Sequence, residues 1–224
     1  MGTLYLIRHG QASFGQADYD QLSELGARQC QRLGEYFRER GVQFDAALRG
    51  SLKRHEQSLA SIAQGLQQLN LPQATVWPGL NEYDSDAVLK TVHEGELHAP
   101  RSKEAYRDHF RLLRRGLARW TQGEITPAGM PSFAEFVAGI NAALDHVRQH
   151  HEGNVLLVSS GGPISTAVSQ LLGAPGETMI ELNMRIRNSA VTEFAFTPKR
   201  HMLHSFNHLP HLDAPPWNEW VTYT

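Results

Sequence analysis

The stretch Thr3-Leu4-Tyr5-Leu6-Ile7-Arg8, followed at once by His9-Gly10, is short, apolar and rich in β-formers, and the glycine cuts it off. It reads as a buried first strand. The residues just past such a strand are where function often sits. Downstream, apolar Leu25, Leu33, Tyr36 and Phe37 recur at roughly helical spacing between Ser23 and Arg40, with Ser23 as N-cap and Gly41 just past the end. A second β-run, Asp45 to Arg49, precedes a helical stretch from about Leu52 to Leu69, and Ala74 to Trp77 reads as a third strand. This β-α-β-α-β alternation predicts a three-layer α/β/α sandwich around a mostly parallel sheet.

Between Asn81 and Thr126 the alternation breaks. Gly95, Pro100 and Pro127 punctuate stretches that read as helical or irregular. They predict a helical insert over the site, at about residues 81–130. Helix resumes near Ser132, where Ser132 and Glu135 have capping-box spacing and Phe133, Phe136, Val137, Ile140 and Leu144 mark a buried stripe. Asn154 to Ser159 reads as another buried strand, Ser160-Gly161-Gly162 as a tight turn, and Pro163 as the first residue of the next helix. Two β-runs, Ala190 to Thr197 and His201 to Phe206, close the pattern. With no repeat, low-complexity tract or linker, residues 1–224 are expected to form a single domain carrying that insert.

A chain of 224 residues can bury a full core without disulfides. Its one cysteine, Cys30, cannot bridge internally, so a reduced compartment is expected. No apolar run approaches bilayer length and no charged leader precedes an apolar stretch, which predicts a cytoplasmic protein with no membrane partner. Lys and Arg number 21 against 23 Asp and Glu, leaving no nucleic-acid footprint. An anionic ligand must therefore be held by a local cluster. Nothing in the pattern specifies an oligomer.

Arg8-His9-Gly10 after a strand supplies such a cluster. A histidine attacks phosphorus only when its imidazole is neutral and held in line, and the phosphoryl oxygens need cations to receive growing charge. Arg8 offers a planar fork suited to phosphate, and Gly10 lets the backbone turn closely around His9. Alone, the tripeptide fits an ordinary strand end equally well.

Other residues extend it. Leu22, Ser23, Gly26 and Gln29 form a Leu-Ser-x-x-Gly-x-x-Gln helix start. Ser51, Arg54 and Gln57 form Ser-x-x-Arg-x-x-Gln after the second strand, and Leu80 and Glu82 form Leu-x-Glu after the third. In this order the chain resembles the phosphoglycerate mutase-like histidine phosphatase superfamily over most of its length. The resemblance implies that His9 is the nucleophile, that Arg8 and Arg54 clamp phosphate, and that Glu82 is the general acid, with no cofactor. Read without it, Glu82 is a loop carboxylate beside Asp84 and Asp86, and Arg54 a helix-surface charge.

The chain departs from the family at Ser160, where a second catalytic histidine is expected before glycine. A serine hydroxyl is shorter, neutral and weaker than an imidazolium donor. Losing one such donor costs about 10²- to 10³-fold in rate. Backbone N–H groups near Gly161 and Gly162 at a helix start offer anion binding, and His55 is a candidate substitute whose ring the sequence does not place. The reading is a phosphomonoesterase acting on a small-molecule phosphoester through phosphohistidine, with slow turnover. Mutase action is disfavoured, since it should need the full constellation. The rival is a degenerate protein that binds phosphoesters without useful turnover.

Weaker signals remain. Arg101, Lys103, Arg107, Arg111, Arg114, Arg115 and Arg119 make residues 101–123 basic, either to steer an anion or as a solvated helix face. His201, His204, His208 and His211 lack a recognised ligand spacing, so no metal is expected. Ser160 has the strand-turn-helix setting of a hydrolase serine, but Val158 stands where that motif requires glycine. Phosphate-loop and dinucleotide-loop patterns are absent, which leaves kinase and dehydrogenase readings without support.

Overall fold

The computed structural model describes residues 1–13, 20–95 and 102–223. The six strands among them form one mixed sheet: β1 (Gly2–Arg8), β2 (Ala46–Arg49), β3 (Thr75–Val76), β4 (Gly153–Ser159), β5 (Val191–Thr197) and β6 (Arg200–His208). They lie in the order β3-β2-β4-β1-β5-β6. The first four in that order run parallel, while β5 is antiparallel to both β1 and β6.

Period-2 alternation makes the sheet two-sided. Leu4, Leu6, Leu48, Val155, Leu157, Phe194 and Phe196 belong to one core, and Ile7, Leu156, Val158 and Val191 to the other. Helices α1 (Glu24–Glu39) and α2 (Lys53–Leu66) cover the second core through Cys30, Leu33, Phe37, Ile62 and Leu66. The first core takes α3 (Ser85–Lys90), α4 (Lys103–Thr121), α5 (Phe133–His150), α6 (Gly161–Leu171) and α7 (Gly176–Asn183). This is the expected three-layer α/β sandwich. β1 and β4 are neighbouring parallel strands whose following helices leave to opposite faces, which opens a crevice at their C-terminal ends.

Local signals behave as read at two caps. The Ser23 side chain accepts from the Gly26 N–H, and Ser132 and Glu135 form a full capping box. Elsewhere the structure corrects the reading. Pro163 is the third residue of α6, which begins at Gly161, because Ser160 is already extended and acts as the cap position. The third strand shrinks to Thr75–Val76 at an exposed sheet edge, and the last one lengthens to Arg200–His208 as it follows β5. The stretch after Asn81 resolves into α3 and α4, and Pro100 and Arg101 lie outside the described residues. No helix among the described residues is long and apolar enough to cross a membrane.

Candidate active site

Parallel pairing aligns Arg8 with Ser159, so His9 and Ser160 emerge side by side from β1 and β4. The His9 N–H donates to the Ser159 carbonyl at 2.9 Å, and the His9 carbonyl accepts from the Ser189 N–H at 3.1 Å. The turn beyond is held by close backbone contact. A Cβ on Gly10 would lie 2.3 Å from the Gly26 carbonyl oxygen, and one on Gly26 2.1 Å from that of Gln11. Only glycines allow α1 to start this near the loop. Gln29 Oε1 accepts from the Gln11 N–H at 2.9 Å, and Ser58 Oγ accepts from the Gly10 N–H at 3.1 Å. Several motif residues thus hold the loop that carries His9.

His9 is buried, and its Nδ1–H donates to the Gly10 carbonyl at 2.7 Å. The carbonyl can only accept, so the lone pair resides on Nε2. Burial, then the charges of Arg8 and Arg54, hold the ring's pKa well below the usual histidine range. The imidazole is neutral at pH 7.

Arg8 Nη1 donates to the carbonyls of Ile186 at 2.5 Å and Tyr223 at 2.7 Å. Arg54 is buried in the first turn of α2 rather than set on a helix surface, and its Nη1 meets Asp20 Oδ1 at 2.9 Å. The other Asp20 oxygen accepts from the Lys53 N–H at 2.9 Å, capping α2, whose own cap residue Leu52 has no side-chain acceptor. Asp20 escaped the sequence reading because it stands in a polar loop outside every motif. Gln57 Oε1 accepts from the Leu22 N–H at 2.8 Å and ties that loop to α2.

Glu82 reaches over from the loop before α3, and its carboxylate accepts from the Gly162 N–H at 3.1 and 3.2 Å. That N–H therefore serves Glu82 in this structure. Desolvation raises the Glu82 pKa, against the opposing pull of Arg54, the Gly162 N–H and Arg8. Its neighbours have other roles, since Asp84 caps α3 through the N–H groups of Asp86 and Ala87.

Arg8, His9, Arg54 and Glu82 line one cavity of about 470 Å³. Tyr83, Tyr106, Phe110, Leu113 and Met184 also line it, so α4 contributes a wall. Among the described Lys and Arg residues of the basic stretch, Arg114 alone lines the cavity, and it pairs with Glu181. Arg111 and Arg119 pair with Asp108 and Glu124.

Ser160 is fully buried, and its Oγ lies 2.7 Å from Nε2 of the equally buried His55. The late histidines are dispersed: His201 donates to the Leu144 carbonyl, and His211 Nε2 pairs with Ser189 Oγ at 2.9 Å. Among the described residues no group of three or more His, Cys, Asp or Glu is placed to hold a metal ion. Cys30 is buried in the α1 core, where desolvation pushes its thiol up to about 11.

Fold and site define an open α/β protein whose crevice gathers a neutral histidine, two arginines and a desolvated carboxyl. Residues 4–209 match the model of the histidine phosphatase superfamily (branch 1), and the chain belongs to that superfamily. It is 35% identical over 172 residues to a broad-specificity phosphatase of Saccharomyces cerevisiae, a match covering 72% of this chain and 66% of the yeast protein. A shorter match, 38% over 86 residues, covers 35% of this chain and 34% of a 2,3-bisphosphoglycerate-dependent phosphoglycerate mutase of Hamiltonella defensa. The chain's matched stretches thus span 66% or less of these curated relatives. The fold is shared with a phosphoserine phosphatase of Entamoeba histolytica solved with phosphoserine, at TM-score 0.65 and 20% identity, covering 95% of this chain and 100% of that one.

Proposed function

We propose that the protein is a phosphomonoesterase that works through a phosphohistidine on His9. The observation that carries this is the convergence on one cavity of Arg8, His9, Arg54 and Glu82, with His9 neutral and its lone pair on Nε2. In the first step Nε2 attacks phosphorus while the bond to the ester oxygen breaks, and Arg8 and Arg54 receive the charge on the phosphoryl oxygens. Glu82 gives its proton to the leaving alkoxide, which departs as the alcohol. In the second step the Glu82 carboxylate takes a proton from water, water oxygen bonds to phosphorus, and the P–N bond breaks. Phosphate leaves, and both His9 and Glu82 return to their starting states. No cofactor enters either step.

The substrate class is a small-molecule phosphoester. The cavity exceeds what phosphate alone fills and has apolar side chains for the alcohol part. The broad-specificity activity of the yeast relative and the phosphoserine bound by the structural neighbour agree with that class.

The test is covalent labelling. A reactive phosphodonor should leave an acid-labile, base-stable label that His9→Ala abolishes. A label of unchanged amount in His9→Ala would place the nucleophile elsewhere.

A second reading is favoured by Ser160, which stands where the family resemblance implies a second histidine: a protein that binds phosphoesters with negligible turnover. Phosphate release across a panel of phosphomonoesters separates the two.

A further inference from the structure

The sequence resemblance leads to a second histidine at position 160, where this chain has serine, and two residues on different elements meet at that position. Ser160 follows β4 beside His9, and His55 sits in the first turn of α2 behind it. Both are fully buried, and they are 2.7 Å apart between Oγ and Nε2. The His55 and His9 ring centroids are 5.9 Å apart, so the pair adjoins the reacting histidine.

The backbone is shaped to admit this imidazole. A Cβ on Gly50 would lie 2.2 Å from His55 Nδ1 and 2.7 Å from its Cε1, so any larger residue at position 50 would displace the ring. The tautomer follows from the remaining nitrogen. His55 Nδ1 is buried with no hydrogen-bond partner among the described residues. A buried N–H without an acceptor is rarer and costlier than a bare lone pair. The proton therefore belongs on Nε2, where Ser160 Oγ accepts it. No other bond to Ser160 Oγ occurs among the described residues, which leaves the serine O–H to seek an acceptor of its own.

We propose that Ser160 and His55 together replace the second histidine, with His55 Nε2–H holding Ser160 Oγ so that its O–H donates to a phosphoryl oxygen of the group on His9. Ser160 touches the reacting group, and His55 is a positioning residue acting through it. No proton is transferred: the ring stays neutral and the serine keeps its hydrogen through both steps. The opposite tautomer would make His55 the acceptor, as in a serine nucleophile and its base, and would strand Nδ1–H. The proposal rests on the phosphohistidine reading.

Two measurements on the intact protein test it. Long-range proton–nitrogen NMR of histidine-labelled wild type should show His55 protonated at Nε2 and bare at Nδ1. The Nδ1–H tautomer overturns the proposal. Orthovanadate, which mimics the transferring group, should bind roughly tenfold more weakly to His55→Ala, while inorganic phosphate affinity changes little. Ser160→Ala should lose a similar factor, and the double variant no more than Ser160→Ala alone, because His55 acts only through the serine. His55→Gln, whose amide N–H can donate to the serine, should recover most of the loss and guards against a folding defect in the alanine variant. Additive losses, or vanadate binding that survives both His55 substitutions, overturn the proposal. If either occurs while wild type still labels at His9, the phosphohistidine reading stands without it. A wild type that does not label at His9 removes both.

Discussion

Burial and the charges of Arg8 and Arg54 keep the His9 imidazole neutral, and the Gly10 carbonyl decides which nitrogen holds the lone pair. Glu82 is perturbed in the opposite sense, since desolvation favours its protonated form. The two shifts work together in a pH–rate profile. As the proposed nucleophile His9 must be neutral to attack, and its depressed pKa should move the acid limb of kcat/KM well below 6.5. In the proposed mechanism Glu82 must be protonated to serve the leaving group, so the rate should fall as pH rises through its raised pKa. In Glu82→Gln that alkaline limb should vanish. Turnover of alkyl phosphates should drop about 10²- to 10⁴-fold, while p-nitrophenyl phosphate, with a leaving group that needs no proton, should lose far less. Equal losses on both substrates would remove Glu82 from the acid role. Asp20 makes a second residue-scale prediction. Asp20→Asn should weaken the hold on Arg54 and lower phosphate affinity several-fold, read by thermal shift in millimolar phosphate.

The loop after β1 and the first turns of α1 and α2 act as one unit. Gly10 and Gly26 bring backbone to backbone, Gln29 and Ser58 take the loop's N–H groups, and Gln57 binds the strand of chain before α1. A methyl at Gly26 meets the Gln11 carbonyl at 2.1 Å, which no rotamer relieves because the obstacle is backbone. Gly26→Ala should therefore cost about 1–3 kcal/mol in urea unfolding and displace His9, lowering kcat more than the stability loss explains. An unchanged kcat in a folded variant would mean that the loop does not set His9. The β4–α6 junction is a second such unit, in which Ser160 stands at the cap position of α6 and Gly162 offers its N–H to Glu82.

At the scale of the molecule, folding buries several histidines in the neutral form. His55 and His211 are both lowered to about 3, burial being the main cause in each. A group depressed in this way is neutral when folded yet takes up a proton when unfolded between about 3 and the usual 6.5. Its contribution is whole above 6.5 and is lost as pH falls through that window. By pH 5 each should have removed about 2 kcal/mol. Glu82, raised above its usual 4.5, has the opposite sign and loses stability as pH rises. His211→Gln isolates one histidine far from this carboxyl in sequence. Its unfolding free energy should fall less between pH 7 and pH 5 than that of wild type, by about 2 kcal/mol. Parallel pH dependences would show that His211 is not buried neutral.

Much of this was written locally in the chain. The apolar run before Arg8, the Ser23 cap and the Ser132 capping box depend on neighbours within a few residues, so period and cap chemistry revealed them. The order of Arg8-His9, Arg54 and Glu82 along the chain was legible through motif spacing and family resemblance. Their convergence was not, since it requires β4 to lie between β1 and the β2 strand that leads into α2. Asp20 had no motif to announce it, and the ends of Thr75–Val76 and Arg200–His208 follow from their sheet partners rather than from their own residues. Ser160 is the sharpest case. The sequence alone determined that a histidine is absent there, because identity at one position is local information. Only the tertiary structure decided that His55 stands behind that serine, because their 2.7 Å contact joins residues 105 apart in the chain through the packing of a helix onto a strand end.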